Sequence, residues 1–161
     1  MLQRLFGFKG GVKPQTHKAP SVQEPIALAP LPARLYVPLH QSIGGAPTPR
    51  VEAGEDVLKG QLIGGADGWV SAAVHAPTSG RVVALVDHVA AHPSGLPTLS
   101  VVIEPDGRDE WIARTPLDHR SLPPERVREL LRDAGVVGLG GAAFPSRAKL
   151  TAARSVPMED L

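Results

Sequence analysis

From Leu35 to Ile103 a glycine or proline interrupts the chain every few residues, at Gly44-Gly45, Pro47, Gly54, Gly60, Gly64-Gly65, Gly68, Pro77, Gly80 and Gly95. Between these breaks lie short apolar runs, Leu35-Tyr36-Val37, Val57-Leu58 and Gln61-Leu62-Ile63. Two longer β-branched runs follow, Val82-Val83-Ala84-Leu85-Val86 and Leu99-Ser100-Val101-Val102-Ile103. Such pieces are too short for helices and suit strands joined by tight turns, which favours a small sandwich or barrel. Seventeen glycines and seventeen prolines with only 4% aromatic residues suggest the same short strands and many turns.

The second organising stretch is Ala134 to Leu150, AGVVGLGGAAFPSRAKL. Gly135, Gly138, Gly140 and Gly141, with Ala134, Ala142 and Ala143, leave a backbone nearly bare of side chains. A phosphate or a flat ring can approach main-chain N–H groups there. Pro145 and Ser146 read as the first turn of a helix whose positive end suits an anion, and Lys149 adds a formal charge. The same string reads equally as a tight turn where a helix meets a strand. Ahead of it, Ser121 to Gly135 reads as a helix capped by Ser121 or Leu122, with Pro123-Pro124 in the first turn. Val127, Leu130, Leu131 and Ala134 form its apolar stripe, and Gly135 its terminating C′ residue.

Residues 1–33 carry Pro14, Pro20, Pro25, Pro30 and Pro32 without an apolar period and read as an extended arm, anchored by Phe6 and Phe8. Seventeen basic and sixteen acidic residues leave a net charge of +1 with no basic run, which gives nucleic-acid binding no electrostatic support. The absence of cysteine removes disulfides, thiolate catalysis and cysteine-ligated clusters from this chain. No apolar run approaches the roughly 20 residues of a membrane span. His88 and His92 have a four-residue spacing, but Pro93 and Gly95 argue against a helix presenting both, and no metal site is expected. Glu104 to Glu110 reads as a solvated, turn-rich hairpin closing the β module, with Trp111 packing back against its edge.

Four sets of residues carry a family resemblance. Val51-x-x-Gly54-x-x-Val57-x-x-Gly60-Gln61-x-Ile63, followed by Val74-x-Ala76-Pro77-x-x-Gly80-x-Val82, resembles the barrel-sandwich hybrid of biotinyl and lipoyl carrier domains. The carrier lysine position falls on Trp69, and the nearest upstream lysine is Lys59, so covalent carriage is not expected. Val74-His75-Ala76-Pro77-Thr78-Ser79-Gly80 resembles the V-H-A-P-T-S-G signature of the RnfC/RsxC family, a component of Rnf-type ion-translocating electron transport complexes. Gly138-Leu139-Gly140-Gly141-Ala142-Ala143-Phe144-Pro145-Ser146-Arg147-Ala148-Lys149-Leu150 is similar to that family's G-L-G-G-A-x-F-P-[TS]-x-x-K-L. More distantly it resembles the flavin loop of the NADH-oxidising subunit of respiratory complex I. Phe8 to Pro14 resembles the family's G-G-[IV]-x-P opening and makes Met1 look like a native start.

The resemblance implies an arm over 1–33, a barrel-sandwich hybrid over 34–112, and over 113–161 the start of an α/β Rossmann-like flavin domain. It implies an NADH-oxidising, FMN-binding subunit, peripheral on the cytoplasmic face of the bacterial inner membrane. Its partners would be integral membrane subunits coupling electron flow to ion movement. Gly138, Gly140, Gly141 and Ala142 would cradle FMN and NADH, and Lys149 would approach the flavin phosphate. Leu139 stands where complex I has Arg, and Ala143 where it has a third Gly. The family continues with further flavin contacts and the cysteines for 4Fe–4S clusters. The chain therefore reads as an N-terminal fragment, inactive alone and a poor FMN binder. A non-catalytic docking module and, less favoured, a carrier domain are the alternatives.

Overall fold

The computed structural model describes residues 15–92 and 94–151. The chain divides into two units, Met1–Pro30 and Leu31–Leu161. In the first, a turn closes at Lys18–Val22, where the Ser21 and Val22 N–H groups donate to the Lys18 carbonyl. Phe6, Phe8 and the Phe8–Pro14 string lie outside the described residues, as does the segment after Thr151.

The second unit opens with seven strands: β1 (Leu35–Pro38), β2 (Thr48–Pro49), β3 (Asp56–Val57), β4 (Leu62–Gly65), β5 (Val74–His75), β6 (Gly80–Val89) and β7 (Pro97–Pro105). They form two antiparallel sheets, one in the order β1-β7-β6-β3 and the other β2-β4-β5. The core is a thin aliphatic layer of Val37, Leu39, Val51, Val57, Ile63, Val74, Ala76, Val82, Val101 and Ile103. Each contributes few methyls, so fit depends on how closely the backbones approach. The mainly β module expected from the punctuation is present.

Two expectations need correction. Gly64 and Gly65 do not break the Gln61-Leu62-Ile63 run; they are the last two residues of β4, paired with Pro49 and Thr48. A Cβ on Gly64 would sit 2.8 Å from a Leu39 methyl, so β4 uses glycine to let a neighbour in rather than to turn. β6 is likewise longer than its valine run. It pairs with β7 from Gly80↔Pro105 to Val89↔Pro97, with a bulge between Val82 and Ala84 that adds twist. His88 stands in this strand, stacked on Tyr36 at 4.1 Å between ring centroids.

After the β module come a 3-10 turn (His119–Ser121), α1 (Pro124–Asp133) and a single helical turn, α2 (Ser146–Lys149). Ser121 does not cap α1. It belongs to the 3-10 turn, whose Asp118 carboxylate accepts from the Arg120 N–H, and α1 starts on Pro124 with no side-chain cap. Ala134 is exposed, whereas Val127, Leu130 and Leu131 are half-buried. No helix among the described residues is long and apolar enough to cross a membrane.

Candidate functional site: the glycine-rich loop and the cleft beside it

Helix α1 ends as its sequence predicts. Gly135 takes φ +69, its N–H donates to the Arg132 carbonyl, and the Val136 N–H donates to the Leu131 carbonyl. This double bond pattern satisfies the last helical carbonyls and turns the chain sharply. The same end is fastened to the β module, because the Ala73 N–H donates to the Arg132 carbonyl at 3.1 Å. A Cβ on Gly135 would press on the Ala73 carbonyl oxygen at 2.5 Å and lie 3.4 Å from His75 Nδ1. Burial in this joint pulls the His75 imidazole below its ordinary value, against the opposing influence of the Asp133 carbonyl and carboxylate.

The loop itself is a narrow hairpin. Val137 bridges Pro145, the Gly138 N–H donates to the Phe144 carbonyl at 2.9 Å, and the Ser146 N–H donates to the Val136 carbonyl at 3.0 Å. The Ala143 N–H closes the tip onto the Gly140 carbonyl at 3.0 Å. Leu139 at the tip is fully exposed, and Gly140, Gly141 and Ala142 are exposed beside it. Gly138, Gly140 and Gly141 all lie outside the left-handed region. A Cβ added at Gly140 or Gly141 would meet nothing within 4 Å. Neither residue is thus glycine because the turn demands it. Ala143, by contrast, takes φ +43, a conformation in which glycine is at ease and alanine is strained. That is a physical reason for the glycine that complex I carries at this place.

Lys149 reaches back across the loop. Its Nζ occupies the space a Gly138 side chain would fill and lies 5.8 Å from the Phe144 ring centroid. The ammonium group is therefore brought against Gly138, while nothing lies within 4 Å of a Cβ placed on Gly140 or Gly141. The helical contribution is smaller than expected. α2 is one turn long, its first N–H is already bonded to Val136, and so short a helix has little macrodipole to offer an anion.

Two further ties hold the loop to the β module. The Ile43 N–H donates to the Ala142 carbonyl at 3.0 Å. Arg147 lies 4.6 Å over the Trp69 ring and donates to the Trp69 carbonyl at 3.4 Å. Trp69, at the carrier-lysine position, thus serves as a stacking surface for the loop's own helix. Lys59 is held by Asp109 at 2.6 Å and lies 5.1 Å from the Trp111 ring.

Between the loop and the β module opens a cleft of about 980 Å³. Its walls come from the end of β1 and the segment after it (Pro38 and His40 to Gly44), the β6–β7 hairpin end (Ala90 to His92, Ser94 and Leu96 to Thr98) and Gly141 to Ala143. No motif announces it, since three segments distant in sequence contribute and none carries a regular period. His92 lies here, its Nδ1 2.9 Å from Ser94 Oγ, well apart in role from His88 on the strand.

The Thr78-Ser79 part of the signature also acquires a physical explanation. Both side chains are buried, and their hydroxyls donate to the acidic segment: Thr78 Oγ1 to Asp109 at 2.8 Å, Ser79 Oγ to Asp106 at 2.7 Å. The Glu110 N–H donates to Ser79 Oγ in turn, and Trp111 packs against Gly60. After β7 ends at Pro105, Asp106 to Glu110 form an exposed loop tethered to Thr78 and Ser79 rather than a free hairpin. Ser79, then the Arg108 backbone N–H and guanidinium, hold the Asp106 carboxyl down to about 2; Lys59 and Thr78 depress Asp109.

These shifts predict an acid-labile fold. A carboxylate whose folded value is depressed stabilises the native state above its unfolded value and loses that contribution as pH falls through the folded one. For Asp106 the loss is expected between 3.8 and about 2. His75 acts in a higher window: its contribution is complete above 6.5 and fades as pH drops through the lowered folded value. Thermal melting against pH should show both phases. His75→Gln is expected to flatten only the phase below 6.5, and Ser79→Ala only the acidic one.

Residues 6–108 match the family profile described as the RnfC barrel sandwich hybrid domain. The chain is 46% identical over 146 residues to the C subunit of the ion-translocating oxidoreductase complex of Rhodobacter capsulatus, covering 90% of this chain and 28% of that protein. It is 48% identical over 152 residues to the protein of the same name from Pseudomonas aeruginosa, covering 94% and 20%. It is 40% identical over 148 residues to the C subunit of the proton-translocating ferredoxin:NAD(+) oxidoreductase complex of Clostridium ljungdahlii, covering 91% and 32%. The chain spans between a fifth and a third of the length of these relatives. With the signature residues placed as structural ties of a β module of this architecture, the chain belongs to the RnfC family.

Proposed function

We propose that this chain supplies the flavin-holding loop of the NADH-oxidising subunit of an ion-translocating electron transport complex. The single observation supporting this reading is that Gly140 and Gly141 are glycines the fold does not require, exposed on a loop whose conformation is otherwise fixed. Backbone left bare without a steric reason inside the chain is accounted for by a ligand that lies against it. FMN fits the residues present: exposed main chain for the flat ring and an ammonium group at Lys149 for the phosphate. When bound, FMN supplies hydride acceptance and stepwise electron release; the protein's part is to hold and orient it.

In this reading, residues 1–33 are an arm, 34–112 the barrel-sandwich hybrid and 113–161 the beginning of a Rossmann-like flavin domain. NADH is the electron donor. The subunit is peripheral, on the cytoplasmic face of the inner membrane, and its partners are the complex's integral membrane subunits. The chain has no cysteine, so any 4Fe–4S cluster downstream of the flavin is ligated by other residues.

Lys149→Met in the complete subunit tests the assignment. A charge-assisted contact to phosphate is worth roughly 1.5–3 kcal/mol, so FMN affinity should fall about 10- to 100-fold by fluorescence titration. Affinity within about twofold of the parent would remove Lys149 from the site.

A further inference from the structure

We infer that the cleft between the β module and the glycine-rich loop seats the uncharged nucleoside half of the nicotinamide coenzyme, so that the barrel itself reads NADH. The inference rests on the flavin-loop reading above and extends it to residues outside the loop.

The first support is continuity. Gly141, Ala142 and Ala143 line the cleft and also form the far side of the loop tip, while Lys149 lies at the other end, against Gly138. A ligand held on the loop therefore has a phosphate-binding end and a cleft end. The second is size. About 980 Å³ lies at the upper end of the usual range for small-molecule pockets and exceeds what a single ring needs. The third is chemistry. Among the described residues lining the cleft there is no Lys, Arg, Asp or Glu. A polyanionic phosphate placed there would find no counter-charge, whereas a neutral base and ribose would leave no ion unpaired.

The lining that is present suits such a ligand. Ile43 and Leu96 offer apolar surface and are 50% and 67% exposed, so they are available to a ring. Ser42 and Thr98 offer hydroxyls, and His40 and His92 offer imidazoles, for a base edge or ribose hydroxyls. His92 is held by Ser94, and His40 Nε2 lies 3.2 Å from the Gly44 carbonyl, so both rings have defined positions. The Ile43–Ala142 hydrogen bond joins one wall to the loop and fixes the mouth between them.

The test uses the complete subunit loaded with FMN. Leu96→Glu places a carboxylate on the cleft wall at an exposed position, and His92→Ala removes a polar group without adding charge. NADH binding is read by calorimetry and by KM, and FMN binding by fluorescence titration. Leu96→Glu is expected to weaken NADH at least about tenfold and His92→Ala about threefold, with FMN affinity and melting temperature close to the parent. Adenosine or the reduced, uncharged dihydronicotinamide riboside should protect the amides of Ser42, Ile43 and Leu96 from hydrogen exchange, and inorganic phosphate should not. NADH affinity unchanged in Leu96→Glu would overturn the cleft assignment and leave the flavin loop standing. Loss of FMN in parallel with NADH would overturn it as well, since the effect would then belong to the loop. Failure of the loop reading itself shows separately, as FMN binding indifferent to Lys149.

Discussion

Gly80→Ala is expected to destabilise the β module by ~3 kcal/mol, read as a lowered urea midpoint with an unchanged slope. Gly80 opens β6, paired with Pro105 of β7. The new methyl would be driven into the Glu104 carbonyl oxygen and to within 2.9 Å of the Pro105 Cα. Both obstacles are main chain, so no side chain can swing aside. The other edge of β7 is paired with β1 from Ser100 to Ile103, next to the clash, which limits how far β7 can retreat. The neighbouring hydroxyls of Thr78 and Ser79 would be dragged off Asp109 and Asp106 by the same shift. Gly141→Ala is the control: with open space around it and no left-handed φ, it should change stability by no more than about 0.5 kcal/mol.

Gly140→Trp in the complete subunit is expected to abolish flavin retention, a loss of more than about a hundredfold in affinity, while the protein stays folded and assembled. The two halves of that outcome come from one fact. Gly140 is exposed and a Cβ there meets nothing within 4 Å, so a side chain can leave the loop toward solvent and folding is expected to tolerate it. The room it takes is the space proposed for the coenzyme, against which it would compete directly. Gly140→Ala should keep both stability and assembly. Retention of flavin and of assembly in Gly140→Trp would instead favour a docking module whose loop is only a connection.

Much of this architecture is written locally in the chain. The β-branched runs of β6 and β7, the apolar stripe of α1 and the glycine at its C′ position each state their structure within a dozen residues. β2 was not legible, because Thr48-Pro49 has neither apolar alternation nor a free proline N–H, and only its pairing with β4 makes it a strand. Gly64-Gly65 misleads for a related reason: glycine at a turn and glycine at a close approach look alike in sequence, and packing alone separates them. The acidic loop resembles a solvated turn until Thr78 and Ser79, some thirty residues earlier, are seen to reach it. At the site, the bare backbone and the lysine were legible as a motif. The cleft was not, since three remote segments assemble it and the residues carry no charge pattern to advertise a ligand.

The loop's fastenings have a mechanical consequence. Ala73 to Arg132, Ile43 to Ala142 and Trp69 to Arg147 grip it before, at and after its tip. A strap held at three places moves only when its frame moves. Electron tunnelling weakens steeply with gap, so a coenzyme seated on such a strap would keep a constant stand-off from any redox centre bolted to the same frame. A swinging tether could not provide that constancy.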